Sequence, residues 1–320
     1  MRSIMARWAA RLLSFVLALG FGMASAEAPP MAAIQVSPNV YYVQGLAALG
    51  NSSNQNFISN AGFIVGKTGV VVIDGLGSPA VAERLMAEIR RVTDLPVTHV
   101  IVTHYHADHV YGLQVFKDQG ATILAHDSAK LYLNSADAQT RLAASRQDMA
   151  PWVNDDTRLV FADEWLNAAE SREMAGLRVQ IDPVGPAHTP DDLAIWVPSE
   201  GVLFSGDLIF NGRLPFVGKA DSSQWIKSLE HLMTYDAQAV VPGHGKWSND
   251  PRKDIGMVRD YLKFLRQTMG EAARDLIPFE EAYDETDWRD WQSVPMFKFA
   301  NRMNAYNTYL LMEQEALKAQ

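Results

Sequence analysis

The chain has 320 residues, 48% of them hydrophobic, a formal net charge of −9 and no cysteine. That length and apolar content can bury a large core, and an acidic balance without Lys/Arg-rich runs excludes a nucleic-acid backbone as partner. The lack of cysteine excludes disulfides, thiolate metal ligands, a lipid-bearing cysteine anchor and a cysteine nucleophile, so any metal must be held by His, Asp or Glu.

In chain order, residues 1–26 read as a signal peptide. Arg2, Arg7 and Arg11 give a positive start, LLSFVLALGFGMA an apolar core, and Ala24-Ser25-Ala26 a cleavage pattern before Glu27. The apolar run is too short for a spanning helix. The expected address is therefore periplasmic or secreted, with no stable membrane insertion after cleavage and a small molecule as the partner.

From residue 39 to 75 the pattern is strand-rich: VYYVQ, FISNAGFIVG and GVVVID, broken at Gly and Asn. SPAVAERLMAEIRR then predicts a helix, with Ser78 as N-cap, Pro79 at the first helical position, and Val81, Leu85, Met86 and Ile89 on one face. THVIV is a predicted strand, a helix starts after His109, ATILAH is a strand, and 128–147 favours helix. The second half offers strands at TRLVFA, GLRVQIDPV, LAIWVPS and GVLFSGD. Asp221 caps a helix carrying Trp225, Ile226, Leu229, Leu232 and Met233, and AQAVVPGHG is one more short strand. Two successive blocks of strands and helices predict an α/β fold, an αββα sandwich over 35–250. A C-terminal helical extension, 251–320, is expected to pack on the same domain.

Four loops directly follow buried-looking strands: THYHADH (103–109), GPAHTPDD (185–192), SGDLIF (205–210) and PGHG (242–245). Strand ends are where a rigid scaffold delivers side chains into a shared cleft. With 8 histidines in the whole chain, three within seven positions demand a reason. Residues two apart in an extended segment point the same way, so His104 and His106 can face one ion. Asp108 and His109, where the chain turns into a helix, can face another. His188 completes the first group, His244 the second, and Asp207 is left to bridge them. Two adjacent nitrogen/oxygen sites suit two Zn²⁺ per chain, and iron or manganese also accept such ligands. Taken singly, His188 and His244 read as structural histidines and Asp207 as a turn residue; their joint occurrence after strands reverses that. No motif position claims His99, His126 or His231. Asp191 and Asp192 are expected to satisfy the loop after His188, and Tyr105 to pack.

The H-x-H-x-D-H motif, followed in order by His188, Asp207 and His244, resembles the metallo-β-lactamase superfamily (MBL-fold metallohydrolases). NAGFIVGKTGVVVIDG resembles that family's first strands, and the match spans roughly residues 35–250. The resemblance implies a metal-dependent hydrolase, with Asp74 supporting the metal loop. It also implies a hydroxide bridging two ions that attacks an ester, thioester, lactone or lactam, and a catalytic Asp108 that orients the water and shuttles its proton. Two departures matter. Asp207 stands where zinc β-lactamases of the largest class carry a cysteine, as in the binuclear thioesterase, lactonase and phosphodiesterase branches. Phe210 stands where those β-lactamases carry a lysine for the substrate carboxylate; nearby Arg213 is either its replacement in substrate binding or a surface residue. The signal, the His/Asp site, HTPDD and the helical extension together resemble exported SoxH-like or quinoprotein-relay-type zinc metallohydrolases. Three alternatives stay open: β-lactamase activity as the main function, a mononuclear iron persulfide dioxygenase, and a non-catalytic periplasmic binding factor. In the last helix, Arg302, Tyr306, Tyr309 and Glu313 fall at i, i+4, i+7 and i+11, which predicts one face that either docks or leans on the cleft.

Overall fold

Val70, Val71, Val72 and Ile73 form one strand whose alternate side chains enter two different cores. That is the period-two geometry of a strand buried on both faces. The computed structural model describes residues 28–318, so the expected signal peptide lies outside the described residues.

The first sheet runs in sequence order: β1 (Ile34–Ser37), β2 (Val40–Val43), β3 (Ala61–Val65), β4 (Val70–Ile73), β5 (Val97–Ile101), β6 (Thr122–His126) and β7 (Glu164–Leu166). It is antiparallel up to β4 and parallel from β4 onwards. Five helices accompany it: α1 (Pro79–Val92), α2 (Ala107–Val110), α3 (Leu113–Asp118), α4 (Ala129–Leu133) and α5 (Ala136–Asp148). Val81, Leu85 and Ile89 of α1 share a core with Val70, Val72 and Val100 on the sheet's outer face.

The second sheet contains β8 (Glu170–Met174), β9 (Leu177–Pro183), β10 (Leu193–Val197), β11 (Val202–Phe210) and β12 (Ala239–His244), in the order β12-β11-β10-β9-β8. Its outer face is covered by α6 (Ser222–Leu232) and α7 (Pro251–Arg274), with α8 (Phe279–Glu285) and α9 (Phe297–Lys318) packed on α7. Between the sheets lies a third core, joining Val71, Ile73 and Ile101 to Ile181, Ile195 and Val202. The two sheets and their flanking helices are the expected αββα sandwich, and three helices follow β12. Among the described residues no helix is long and apolar enough to cross a membrane.

Several boundaries differ from expectation. TRLVFA forms no strand; Val160 and Ala162 pack into the outer core without joining a ladder, and the strand is Glu164–Leu166. FISNAGFIVG narrows to Ala61–Val65, because Ile58–Asn60 spends its backbone on the metal loops described below. Residues 128–147 split into α4 and α5 at Asn134 and Ser135, whose side chain caps α5. β1 and β8 were not expected. β8 is a charged edge strand whose Arg172 pairs with Glu170 and with Glu164 of β7, tying an edge of one sheet to an edge of the other. The face expected on α9 is not a single one: Tyr309 is buried while Arg302 and Tyr306 are exposed, and the docked residues are Asn301, Asn304, Ala305 and Thr308.

Candidate metal centre

All four strand-end loops converge. β5 leads into Thr103–His106, α2 carries Asp108 and His109, the β9–β10 loop carries His188, and β11 and β12 carry Asp207 and His244. Every one of the five histidines presents a ring nitrogen to the same space. His106 Nδ1 lies 3.1 Å from His104 Nε2 and 3.0 Å from His188 Nε2. A tetrahedral ion with bonds of about 2.0–2.1 Å has ligand-to-ligand edges of roughly 3.3 Å, so these nitrogens already sit close to that spacing. Asp108 Oδ2 is 3.3 Å from His244 Nε2 and 3.7 Å from His109 Nε2. Asp207 stands between the groups. Its Oδ2 is 3.4 Å from His188 Nε2 and 3.3 Å from His244 Nε2, and its Oδ1 is 3.2 Å from His109 Nε2.

Two groups of donors result, His104/His106/His188/Asp207 and Asp108/His109/His244, each with its donor atoms within 4.8 Å of one another. Buried His109 Nε2 and Asp207 Oδ1 lie 3.2 Å apart but make no aligned hydrogen bond with each other or with any other described residue. Leaving such atoms unpaired costs roughly 1–3 kcal/mol each unless something binds there. An all-nitrogen/oxygen donor set with inward lone pairs therefore fits a divalent metal.

The outer edges of the rings show why the lone pairs point inward. Asp74, in the left-handed region at φ 65° just after β4, accepts from the Thr103 amide (2.7 Å), from Thr103 Oγ1 (2.8 Å) and from His109 Nδ1 (2.9 Å). Thr103 Oγ1 in turn lies 3.1 Å from His104 Nδ1. His244 Nδ1 donates to the Ile58 carbonyl at 2.8 Å. Such partners fix tautomer and ring orientation, leaving Nε2 of His109 and His244 free of protons in their neutral forms. Gly206, at φ +50°, brings β11 against Thr103, and a Cβ on Gly243 would lie 2.0 Å from Asp207 Oδ1; both positions require glycine. Phe210 stacks on His244 with centroids 5.0 Å apart, and Trp225 meets the His188 ring at 5.2 Å while donating to the Leu208 carbonyl.

Electrostatics divide the cluster. Burial, followed by the neighbouring imidazoles, pushes His104 well below the usual histidine range, and burial lowers His106 and takes His188 down to about 3. For His109 and His244 burial acts in the same direction, but Asp207 and Asp108 outweigh it and raise both, with Asp74 adding to His109. Asp108 and Asp207 are themselves held below the usual carboxylate range, since the histidines facing them outweigh burial.

The seven residues singled out in the sequence all meet here, as does Asp74. His99, His126 and His231 belong to neither donor group. Tyr105 packs, its hydroxyl donating to the Val160 carbonyl. Asp192 satisfies the loop after His188 by accepting from the Thr189 amide and hydroxyl. Asp191 does something different: it accepts from the Tyr105 amide and so ties the His188 loop to the His104–His106 segment. Arg213 is not a surface residue. It is 7% exposed, sits over the Phe210 ring and lines a cleft of about 330 Å³ with His106, Asp108, Asp207, His244, Arg141 and Phe216. Its Nε and Nη1 are buried with no hydrogen-bond partner among the described residues. Sequence reasoning missed Thr103 and the Ile58–Asn60 segment. Thr103 was legible as the first residue of THYHADH, whereas Asn60, which donates to the Pro242 and Gly245 carbonyls, gave no signal.

A two-sheet sandwich with a His/Asp cluster at the strand ends defines a metallohydrolase class, and the comparisons with known proteins agree. The family model described as "Metallo-beta-lactamase superfamily" matches residues 55–244. The chain belongs to that superfamily. It is 24% identical over 218 residues to the metallo-beta-lactamase IND-1 of Chryseobacterium indologenes, covering 67% of this chain and 80% of that one. It is 25% identical over 252 residues to a linear primary-alkylsulfatase of a Pseudomonas species, covering 66% of this chain but 47% of the relative, so it spans about half that protein's length. Among solved structures, a metallo-beta-lactamase from Pontibacter korlensis superposes with a TM-score of 0.58 at 20% identity, over 73% of this chain and 99% of that one. The sec-alkylsulfatase Pisa1 from Pseudomonas sp. superposes with a TM-score of 0.71 at 17% identity, over 88% of this chain and 50% of that one. The members these comparisons name are hydrolases, and this chain is a metal-dependent hydrolase of the same superfamily.

Proposed function

We propose that the protein is an exported hydrolase that holds two zinc ions and cleaves an ester, thioester, lactone or lactam carrying an anionic group. The observation that carries this reading is the convergence of seven buried or half-buried donors into two adjacent groups with Asp207 of the first standing against the histidines of the second, four of the donors lining a cleft that Arg213 also lines. When bound, zinc supplies Lewis-acid polarisation and lowers the pKa of water from 15.7 to about 7. The chain's own residues do the rest. Asp108 lines the cleft with its carboxylate turned to His244, placed to orient the attacking water and carry its proton to the leaving group. If Asp108→Asn kept full metal content and full activity, that assignment would fail. Arg213, an unpaired guanidinium in a half-enclosed cleft, fits a carboxylate or sulfate on the substrate.

A sulfate ester is the second reading. It is favoured by the alkylsulfatase relative and by a fold match that extends over 88% of the chain, against 73% for the β-lactamase structure. Both readings are tested by metal analysis of the mature protein together with a substrate panel of nitrocefin, a lactone, a thioester and an alkyl sulfate. Two zinc ions per chain and hydrolysis of one panel member are expected. One iron per chain with oxygen uptake on glutathione persulfide would overturn the hydrolase reading, and no turnover at all would favour a binding factor. Mass spectrometry of the exported protein tests the address, with a start at Glu27 expected.

A further inference from the structure

The loop after β11 carries two cleft residues, Arg213 and Phe216. Its backbone does not hold itself in place. The Leu214 amide donates to the Pro295 carbonyl at 2.9 Å, just before α9. The Val217 amide donates to Asn304 Oδ1 at 2.9 Å, and Asn304 Nδ2 donates to the Pro215 carbonyl at 2.8 Å. The tethered residues, 214, 215 and 217, thus flank Phe216 on both sides and follow Arg213 directly. Asn304 is completely buried, and its Nδ2 also donates to Tyr261 of α7 at 3.1 Å. Tyr261 donates onward to Asn301 Oδ1 at 2.8 Å, and Asn301 donates to Tyr283 of α8. A buried amide that satisfies two backbone groups of a loop and is itself fixed by a polar network specifies one loop position, because any other leaves those groups unpaired.

We propose that Asn304 is a positioning residue for substrate binding: through it the C-terminal helices set the height and aim of Arg213 and Phe216 over the metal centre. This rests on the reading of Arg213 as the anion-binding residue. It gives the helical extension a task in specificity, since the same metal centre would accept a different substrate if these helices held the loop elsewhere. An anion held by Arg213 is gripped alike in the ground state and the transition state, so a slack loop is read out in KM with kcat little changed.

The test compares Asn304→Ala with Asn301→Ala in the full, metal-loaded protein. Both remove a buried amide from the same network, but Asn301 makes no bond to the loop, and its loss leaves in place all three bonds of Asn304, to Val217, Pro215 and Tyr261. Asn304→Ala is expected to raise KM for anionic substrates about tenfold while kcat and metal content stay within about twofold, and to speed hydrogen exchange at the Leu214 and Val217 amides. Asn301→Ala, at a comparable loss of Tm, is expected to leave KM and both amides near wild type. The proposal is overturned if Asn301→Ala reproduces these effects or if Asn304→Ala leaves the two amides unchanged. One measurement needs no variant: in the wild type those amides should exchange as slowly as the interior of α9, and exchange at exposed-loop rates would refute the tether. If no panel substrate is turned over, the hydrolase reading fails while the exchange data still decide the role of Asn304.

Discussion

The two donor groups lie side by side yet differ in charge logic. His104, His106 and His188 are three imidazoles grouped with one carboxylate, Asp207, and burial outweighs the carboxylates near them and lowers all three. His109 and His244 face both Asp108 and Asp207, and those carboxylates pull protons onto them. A cation entering the second group therefore competes with protons more than one entering the first. The lesson is that two neighbouring donor groups of similar residue types can differ in proton affinity through the placement of their carboxylates.

The largest expected effect separates the groups. His188→Ala should lose metal from the first group and lower kcat/KM by more than roughly 10³-fold, the equivalent of several kcal/mol of transition-state stabilisation. His244→Ala should retain one ion per chain and lose activity less steeply. Equal metal loss in both variants would mean that the groups do not act separately. Asp74→Asn comes next: because Asp74 holds His109 directly and His104 through Thr103, it should weaken metal binding at both groups by about 10–100-fold, measured by competition with a chelator.

The pH dependence sharpens the contrast. A histidine whose pKa is raised stays protonated further into neutral pH, so metal must compete with that proton and acid weakens binding. Affinity for the second ion should therefore fall about tenfold per pH unit for each proton displaced as pH drops through the raised values of His109 and His244. Affinity for the first should change less over the same window, since His188 is pushed down to about 3. Parallel pH profiles in calorimetric titrations of the metal-free protein would remove the distinction. The smallest effect belongs to Arg213→Ala, which touches neither group: KM for an anionic substrate should rise about tenfold, with metal content unchanged.

The chemistry of this protein was legible because its donors come from short motifs at strand ends, where His104, His106 and His109 announce themselves by residue type alone. Elements defined by their partners rather than by their own residue types were not. β8 reads ESREM, too charged to look like a strand, and is one because it pairs antiparallel with β9 and buries Met174 between the sheets. TRLVFA has the opposite fault: its apolar residues fill a core without a neighbouring strand to pair with. Asn304 looked like any polar residue of a helix, because its meaning lies in backbone groups 87 and 89 positions away. The stripe expected from Arg302 to Glu313 followed helical spacing correctly but chose the wrong face, since Tyr309 turns inward and Tyr306 outward.

Each donor group draws on both leaves of the sandwich. His104, His106, Asp108 and His109 follow the first sheet, while His188, Asp207 and His244 belong to the second. A cation bound to either group would act as a clasp across the open end of the fold. Removing it would leave lone pairs and carboxylates crowded together where the leaves meet, so metal scarcity should first be felt as a gaping of that end and only then as lost catalysis.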